Sequence, residues 1–246
     1  MKAFKELTVL AIAVVMLSML QSCDEKKEVK PKFAFKTPEE ASLTLHHDGT
    51  HQLQFIGKDQ NVLQFNIGDT LVAKISGDGM VKAGLVGTTD YIVTQGEEEL
   101  RGTIVVKPLV ETIVEPLFIP YKTTREMVEK YEKREFSKEI LFGVDDVLLV
   151  YKGEKEEIKN VIYIYNQTKN YVKQVIVTLA STENYTDLKV LDFLKERYRF
   201  IKYDEELTDP LGSPCPIFNR DGKVVKPTFV MGAPAIFYQE SEDTEK

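Results

Sequence analysis

Between Ser42 and about Pro108, apolar residues recur at every second position: Leu43 and Leu45, Leu53 and Phe55, Leu63 and Phe65, Ile104 and Val106. Turn-forming residues separate these runs at Asp48-Gly49, Gly57-Lys58-Asp59, Gly68-Asp69, Asp78-Gly79 and Gly87. Short strands with this period and spacing predict a small β-sandwich. Pro108, Pro116 and Pro120 mark a seam, after which the period changes. Thr123-Thr124-Arg125-Glu126 reads as a capping box, followed to about Glu135 by Met127, Val128 and Tyr131 at helical spacing. Strands are predicted at Asp146 to Lys152, Val161 to Tyr165 and Val172 to Leu179. A helix from Tyr185 to Phe200, with Leu188, Leu191, Leu194 and Tyr198 as its buried stripe, then leads to strands at Ile217-Phe218, Lys223 to Met231 and Ala235 to Gln239. That order reads as two αβββ units, and an antiparallel sheet with both helices on one face is the packing that buries them.

The pattern divides the chain into a sandwich at 41–110 and an α+β domain at 116–240, with a short acidic tail at 241–246. Two modest domains suit 246 residues, and 43% hydrophobic content is enough to bury two cores. The formal charge of -7 argues against nucleic acid, whose phosphates need a basic surface.

The first residues carry an address. Lys2 and Lys5 precede the apolar run Leu7 to Leu20, which is shorter than the ~20 residues that span a bilayer and reads as a signal peptide over 1–22. The run ends in Leu20-Gln21-Ser22-Cys23, which resembles the lipobox of bacterial lipoproteins. The resemblance implies cleavage after Ser22 and acylation of Cys23, so that lipid on Cys23 attaches the chain to a membrane. Residues 23–40, beginning Asp24-Glu25-Lys26-Lys27-Glu28, read as a flexible charged tether. The same run resembles the export tag by which some Gram-negative lipoproteins reach the outer face of the outer membrane. A solvated linker accounts for it equally well.

Val72-Ala73-Lys74-Ile75-Ser76-Gly77-Asp78-Gly79-Met80-Val81-Lys82-Ala83, followed by Val86-Gly87-Thr88-Thr89-Asp90-Tyr91-Ile92-Val93, closely resembles the bacterial immunoglobulin-like group 2 domain. The resemblance covers about residues 40 to 108 and implies an immunoglobulin-like spacer or adhesion module without an active site. The fold class expected is therefore two-domain: an all-β immunoglobulin-like sandwich followed by an α+β domain. The order of elements in the second half resembles the α/β domain that accompanies this module in some surface lipoproteins.

Candidate chemistry is sparse. His46, His47 and His51 flank the Asp48-Gly49 turn, but adjacent strand residues point to opposite faces, which spoils a shared metal site. Cys215 lies in Pro214-Cys215-Pro216 with no histidine near in sequence to activate a thiolate. Asp145-Asp146 and the acidic run Asp204-Glu205-Glu206 with Asp209 are the carboxylates available for acid/base work. No phosphate loop, His-Glu-x-x-His or Gly-x-Ser-x-Gly appears, and no cofactor is expected. In Val161-Ile162-Tyr163-Ile164-Tyr165 both strand faces are apolar although helices cover only one. Tyr163 and Tyr165, with Tyr151 and Tyr171, are the candidate aromatic platform for a glycan or protein partner; packing of the same rings under helix side chains is the competing reading. The sequence thus points to a non-catalytic, lipid-anchored adhesion or ligand-binding protein at the cell surface. A structural role on the periplasmic face of the outer membrane is the alternative.

Overall fold

The computed structural model describes residues 32–57 and 63–241. Residues 1–31, on which the expected signal peptide, Cys23 and the first part of the expected tether fall, and residues 58–62 and 242–246 lie outside the described residues.

The first module contains β1 (Ala34–Phe35), β2 (Ser42–His46), β3 (Thr50–Gln52), β4 (Phe55–Ile56), β5 (Leu63–Ile67), β6 (Ala73–Ile75), β7 (Met80–Ala83), β8 (Gly87–Gln95) and β9 (Glu98–Lys107). A four-stranded sheet in the order β2-β9-β8-β5 faces a three-stranded sheet β3-β7-β6, and β1 pairs with β4. Alternate residues meet between the layers: Leu43, Val72, Val81, Val93, Ile104 and Val106 form the core. Gly79 closes the turn between β6 and β7 with φ of +87°, as the Asp-Gly pair requires. The expected tether is too long by several residues. Phe33 is buried, and its ring and that of Phe35 both pack against Phe55, so the sandwich begins at Phe33 and not at residue 41.

The second module is built from α1 (Arg125–Tyr131), β10 (Phe136–Phe142), β11 (Asp146–Lys152), β12 (Ile158–Asn166), β13 (Tyr171–Leu179), α2 (Thr182–Asp187), α3 (Val190–Arg197), β14 (Arg199–Thr208), β15 (Pro214–Arg220), β16 (Lys223–Val230) and β17 (Ala233–Glu240). Its single antiparallel sheet has the order β10-β11-β12-β13-β17-β16-β15-β14. Two four-strand meanders thus meet through their last strands. Each half is an αββββ unit, one strand more than the pattern suggested, and the two added strands are the sheet edges, β10 and β14. Both edges are almost wholly exposed, so no buried face imposes a clean alternation on their sequence.

The long second helix is also corrected: it breaks at Lys189, which takes φ of +52°. Leu188 and Val190 are both buried, and residues two apart lie about 200° apart around a continuous helix, so one unbroken helix cannot bury both. The cap falls one residue later than the Thr123–Glu126 box placed it: Thr124 is the N-cap of α1, its hydroxyl accepting from the Met127 amide, while the Thr123 hydroxyl bonds the Ile119 backbone. Of the three residues at helical spacing, Val128 is fully buried and Tyr131 is 54% exposed.

The helices and an extended segment, residues 108–122, cover one sheet face. Val110, Ile113 and Phe118 of that segment join Val128, Leu149, Tyr163, Val177, Phe193 and Tyr238 in the main core. The seam is therefore part of the second module's core, and polar contacts fix the first module to it. Glu196 Oε2 accepts the Leu109 and Val110 amides at 3.0 and 3.1 Å, and its backbone carbonyl accepts the Val86 amide at 2.7 Å. Arg197 donates to the Val110 carbonyl at 3.0 Å.

Candidate functional site

The helices are short. At 1.5 Å per residue the seven residues of α1 run only about 10 Å, so α1 and α3 leave the sheet partly uncovered between them. The extended segment crosses that gap and leaves a cleft of about 760 Å³ along its flank, within the range of small-ligand sites. The cleft runs between Val114–Ile119, the end of α1 with residues 132–135, and the turn at Lys152–Glu154, with Lys223 beyond. A second cavity of about 310 Å³ continues it toward Arg197 and Arg220, sharing Glu115, Phe118, Ile119 and Lys223.

Arg134 organises the wall. Its Nε donates to Glu154 at 2.6 Å, Nη1 to Glu132 at 2.9 Å and Nη2 to the Val114 carbonyl at 2.6 Å. Glu154 accepts the Val114 amide at 3.0 Å. Arg134 and Glu154 therefore hold both backbone polar groups of one residue of the extended segment, Val114. The side chains of Arg134 and Glu132 are 6% and 3% exposed, which strengthens the pairing and makes the loss of either partner costly. Tyr163 donates its hydroxyl to Glu132 at 2.5 Å from beneath. At the second cavity Tyr198 donates to Glu115, which also pairs with Lys223 at 3.2 Å. The Tyr238 hydroxyl lies in the same buried neighbourhood without a hydrogen-bond partner. Burial first, then the nearby carboxylates, raises the pKa of the Tyr163 and Tyr198 phenols, so both serve as neutral donors.

The charges along the larger cleft cancel. Glu115, Glu132, Glu135 and Glu154 stand against Lys133, Arg134, Lys152 and Lys223, and all four carboxylates are in ion pairs. Neither an anion nor a cation finds a surplus of opposite charge. Exposed Val114, Ile119 and Tyr131 line the mouth, and Tyr131 is the one aromatic ring offered there.

The residues expected to form an aromatic platform are placed otherwise. Tyr151, Tyr163 and Tyr165 are buried under the helix-side layer, and Tyr151 stacks edge-on to Tyr163 at 5.7 Å. Tyr171 is half-buried with its ring against Tyr121 at 5.7 Å. The side of β12 that carries the tyrosines is the side the helices cover, and the isoleucine side has no helix over it. Ile162, Ile164, Ile176 and Phe237 lie on that helix-free face and line or flank a groove of about 280 Å³ rimmed by Phe142 and Met231. These four tyrosines therefore form no exposed platform.

The remaining candidates are dispersed. His46, His47 and His51 contact the Pro108 carbonyl, the Gly84 carbonyl and the Glu40 carboxylate respectively. Cys215 is fully buried, its thiol pushed up to about 11 chiefly by burial, so it is not a thiolate nucleophile at neutral pH. Asp146 pairs with Lys173 at 2.6 Å, Asp145 accepts from Thr168, and Asp209 receives the Leu211 and Ser213 amides. None of these carboxylates lines the cleft described above. Sequence reasoning missed the cleft residues Glu115, Glu132, Arg134 and Glu154. The available signal was the density of large apolar residues at Ile113, Val114, Leu117, Phe118 and Ile119, which is too high for a solvated linker.

No family model matches the chain, and no curated protein matches it. Among solved structures, human protocadherin-24 EC1-2 aligns at 11% identity over 83% of this chain and 91% of that one, with a TM-score of 0.26. Domains 4–9 of the surface layer protein SbsC align at 9% identity over 88% of this chain and 28% of that one, with a TM-score of 0.27. The Bacteroides ovatus mixed-linkage glucan utilization locus protein SGBP-B, in complex with a mixed-linkage heptasaccharide, aligns at 11% identity over 82% and 63%, with a TM-score of 0.25. At such scores the likeness carries no argument about what this chain binds. What the chain itself establishes is a β-sandwich joined to an eight-stranded α+β module that carries a charge-balanced cleft.

Proposed function

We propose that the protein is a lipid-anchored, non-catalytic binding protein of the bacterial cell surface that takes a neutral, hydroxyl-rich ligand, a glycan, in the cleft beside Val114. The charge balance of the cleft is the observation that supports this reading. Four acids and four bases line it, its carboxylates are locked in ion pairs, and an exposed tyrosine stands at the mouth. Fixed, paired polar groups hydrogen-bond hydroxyls without demanding a counter-charge, and a tyrosine ring offers a flat apolar face to a sugar ring. The lipobox-like Leu20-Gln21-Ser22-Cys23 supports anchorage through Cys23, and the charged run after it supports a surface position. In this reading the immunoglobulin-like module of the group 2 type is the spacer that holds the cleft away from the membrane.

Protease shaving of intact cells tests the location, with Cys23→Ala as the unanchored control and a periplasmic protein as the protected one. Degradation of the wild-type chain on intact cells is expected. Protection until the outer membrane is broken contradicts a surface position and favours a second reading, an envelope-structural lipoprotein on the periplasmic face. The observation that favours that reading is the helix-free sheet face, where exposed Phe142 and Met231 rim the groove over Ile162, Ile164 and Ile176, which suits a protein surface better than a sugar.

A further inference from the structure

The chain as a whole is acidic, with a formal charge of -7, yet one cavity is lined by bases that lack a counter-charge. It holds about 300 Å³ where the two modules meet, between the β6-β7 hairpin, the His47-Asp48 turn and Arg199 at the start of β14. Lys74 and Lys82 stand directly opposite each other in the antiparallel register of β6 and β7. Their neighbours Ala73, Val81 and Ala83 belong to the core, so both lysines point to the outer face of the sheet. Like charges directly opposite on a sheet repel and destabilise the pair. Thr50, opposite Lys82 on β3, supplies no carboxylate, and Arg199 adds a third cation from the other module. The acids closest in sequence are turned elsewhere: Asp48 lies 3.5 Å from His47 Nε2, Asp69 lies 3.9 Å from Arg220, and Asp78 accepts from Ser76. Among the described residues, Lys74, Lys82 and Arg199 form no ion pair.

We infer that this cavity binds a phosphate monoester carried on a small carbon skeleton, at a site separate from the cleft beside Val114. Three cations against the one lining carboxylate, Asp48, leave a surplus of two positive charges. A phosphate monoester brings nearly two negative charges at neutral pH and so matches that surplus, whereas a sulfate ester or a carboxylate brings one. The two ammonium groups act as mobile point charges and the guanidinium as a planar fork, a combination suited to the three terminal oxygens of one phosphate. Leu71 and Leu85 supply an apolar wall for the carbon skeleton, and the volume suits a single sugar-sized unit. The ligand comes from solution and not from a bilayer. The described chain enters the sandwich at Phe33 and Phe35 beside Phe55, near the β6-β7 turn, where the Leu53 amide donates to the Gly79 carbonyl at 3.0 Å. The cavity lies at the other end of that hairpin, where the Gly84 amide donates to Val72 and the Val86 amide to Glu196. A tether to a membrane therefore leaves from the end away from the cavity.

Isothermal titration of the mature chain in a neutral detergent tests the site, with glucose 6-phosphate and glucose 6-sulfate as probes and phosphatidic acid vesicles as the membrane arm. Glucose 6-phosphate is expected to bind more tightly than the sulfate, and the vesicles to add nothing beyond it. Lys74, Lys82 and Arg199 are all exposed, so the variants retain their fold. Lys82→Gln and Arg199→Gln are each expected to weaken glucose 6-phosphate about tenfold, the effect of losing one charge-assisted contact. Lys138→Gln, an exposed cation on β10 that does not line the cavity, is expected to change nothing, and so is Val114→Arg in the cleft. A melting curve adds a readout that loss of structure would move the opposite way. Lys82→Gln relieves the repulsion with Lys74, so without ligand it is expected to melt no lower than the wild type, while the rise that glucose 6-phosphate gives the wild type is lost. No binding of glucose 6-phosphate at millimolar concentration, an affinity that Lys82→Gln and Arg199→Gln leave unchanged, an equal loss in Lys138→Gln, a preference for the sulfate, binding to the vesicles alone, or a lower melting temperature for ligand-free Lys82→Gln each overturns the assignment.

Discussion

Arg220, at the end of β15, donates from Nη1 to the carbonyl of Val86 at 2.5 Å and so joins the α+β module to the sandwich. The same nitrogen reaches the Arg197 carbonyl at 3.2 Å, and Nη2 approaches Asp69 at 3.9 Å. Gly87, next along the chain, makes room for the guanidinium: a Cβ there sits 2.9 Å from Arg220 Nη2 and 3.1 Å from Val72, and φ is +154°. Gly87 therefore serves the seam as well as the start of β8. Gly87→Ala is expected to cost about 1–3 kcal/mol and to uncouple the modules. Calorimetry checks this: one shared transition in the wild type is expected to split in two.

The Arg134 cluster is the costliest place to cut the cleft wall. Arg134→Ala leaves Glu132 and Glu154 without their cation, and because Glu132 is buried the expected loss is about 3–5 kcal/mol in urea unfolding. Arg134→Lys is expected to recover only part, because an ammonium cannot reach both carboxylates and the Val114 carbonyl with one planar fork.

Both ends of the pH range should act on this cluster. Burial raises the Glu154 carboxyl, but the Arg134 hydrogen bond, the Val114 amide and the Arg134 charge together outweigh it, so its pKa ends below the ordinary 4.5. A carboxyl lowered by folding adds stability that is complete above its unfolded value and is lost as pH falls through its folded value. Stability is therefore expected to decline as pH drops below about 4.5, and Glu154→Gln to shallow that decline. At the alkaline end, burial holds the pKa values of Tyr163, Tyr198 and Tyr238 above the ordinary 10.0. Unfolded phenols ionise first, so stability is expected to fall above about pH 10, and less steeply in Tyr163→Phe. Melting temperature across pH reads both limbs.

The sequence made strands legible where a face is buried. β11 spans Asp146–Lys152 as its alternation predicts, because Val147, Leu149 and Tyr151 all face the core. The edges β10 and β14 were invisible because exposed positions carry no pattern. The doubly apolar strand at Val161–Tyr165 was read correctly, but which side the helices cover depends on packing across the whole sheet. That choice buried Tyr163 in the main core and left Ile162 half-buried on the helix-free face. The cleft was hidden for a different reason: Glu132, Arg134, Glu154 and Val114 meet only once the extended segment folds back over the sheet, and no local spacing encodes that approach.

The most direct test of the account is a neutral-oligosaccharide array probed with the mature chain and with Val114→Arg and Tyr131→Ala. Both side chains are exposed at the cleft mouth, so neither change should move the melting temperature by much. Binding of at least one neutral glycan by the wild type is expected, abolished by Val114→Arg and weakened about tenfold by Tyr131→Ala, a loss of about 1.4 kcal/mol. Binding that both variants retain, or a wild type that ignores every neutral glycan and takes only charged ones, would contradict the assignment of the cleft.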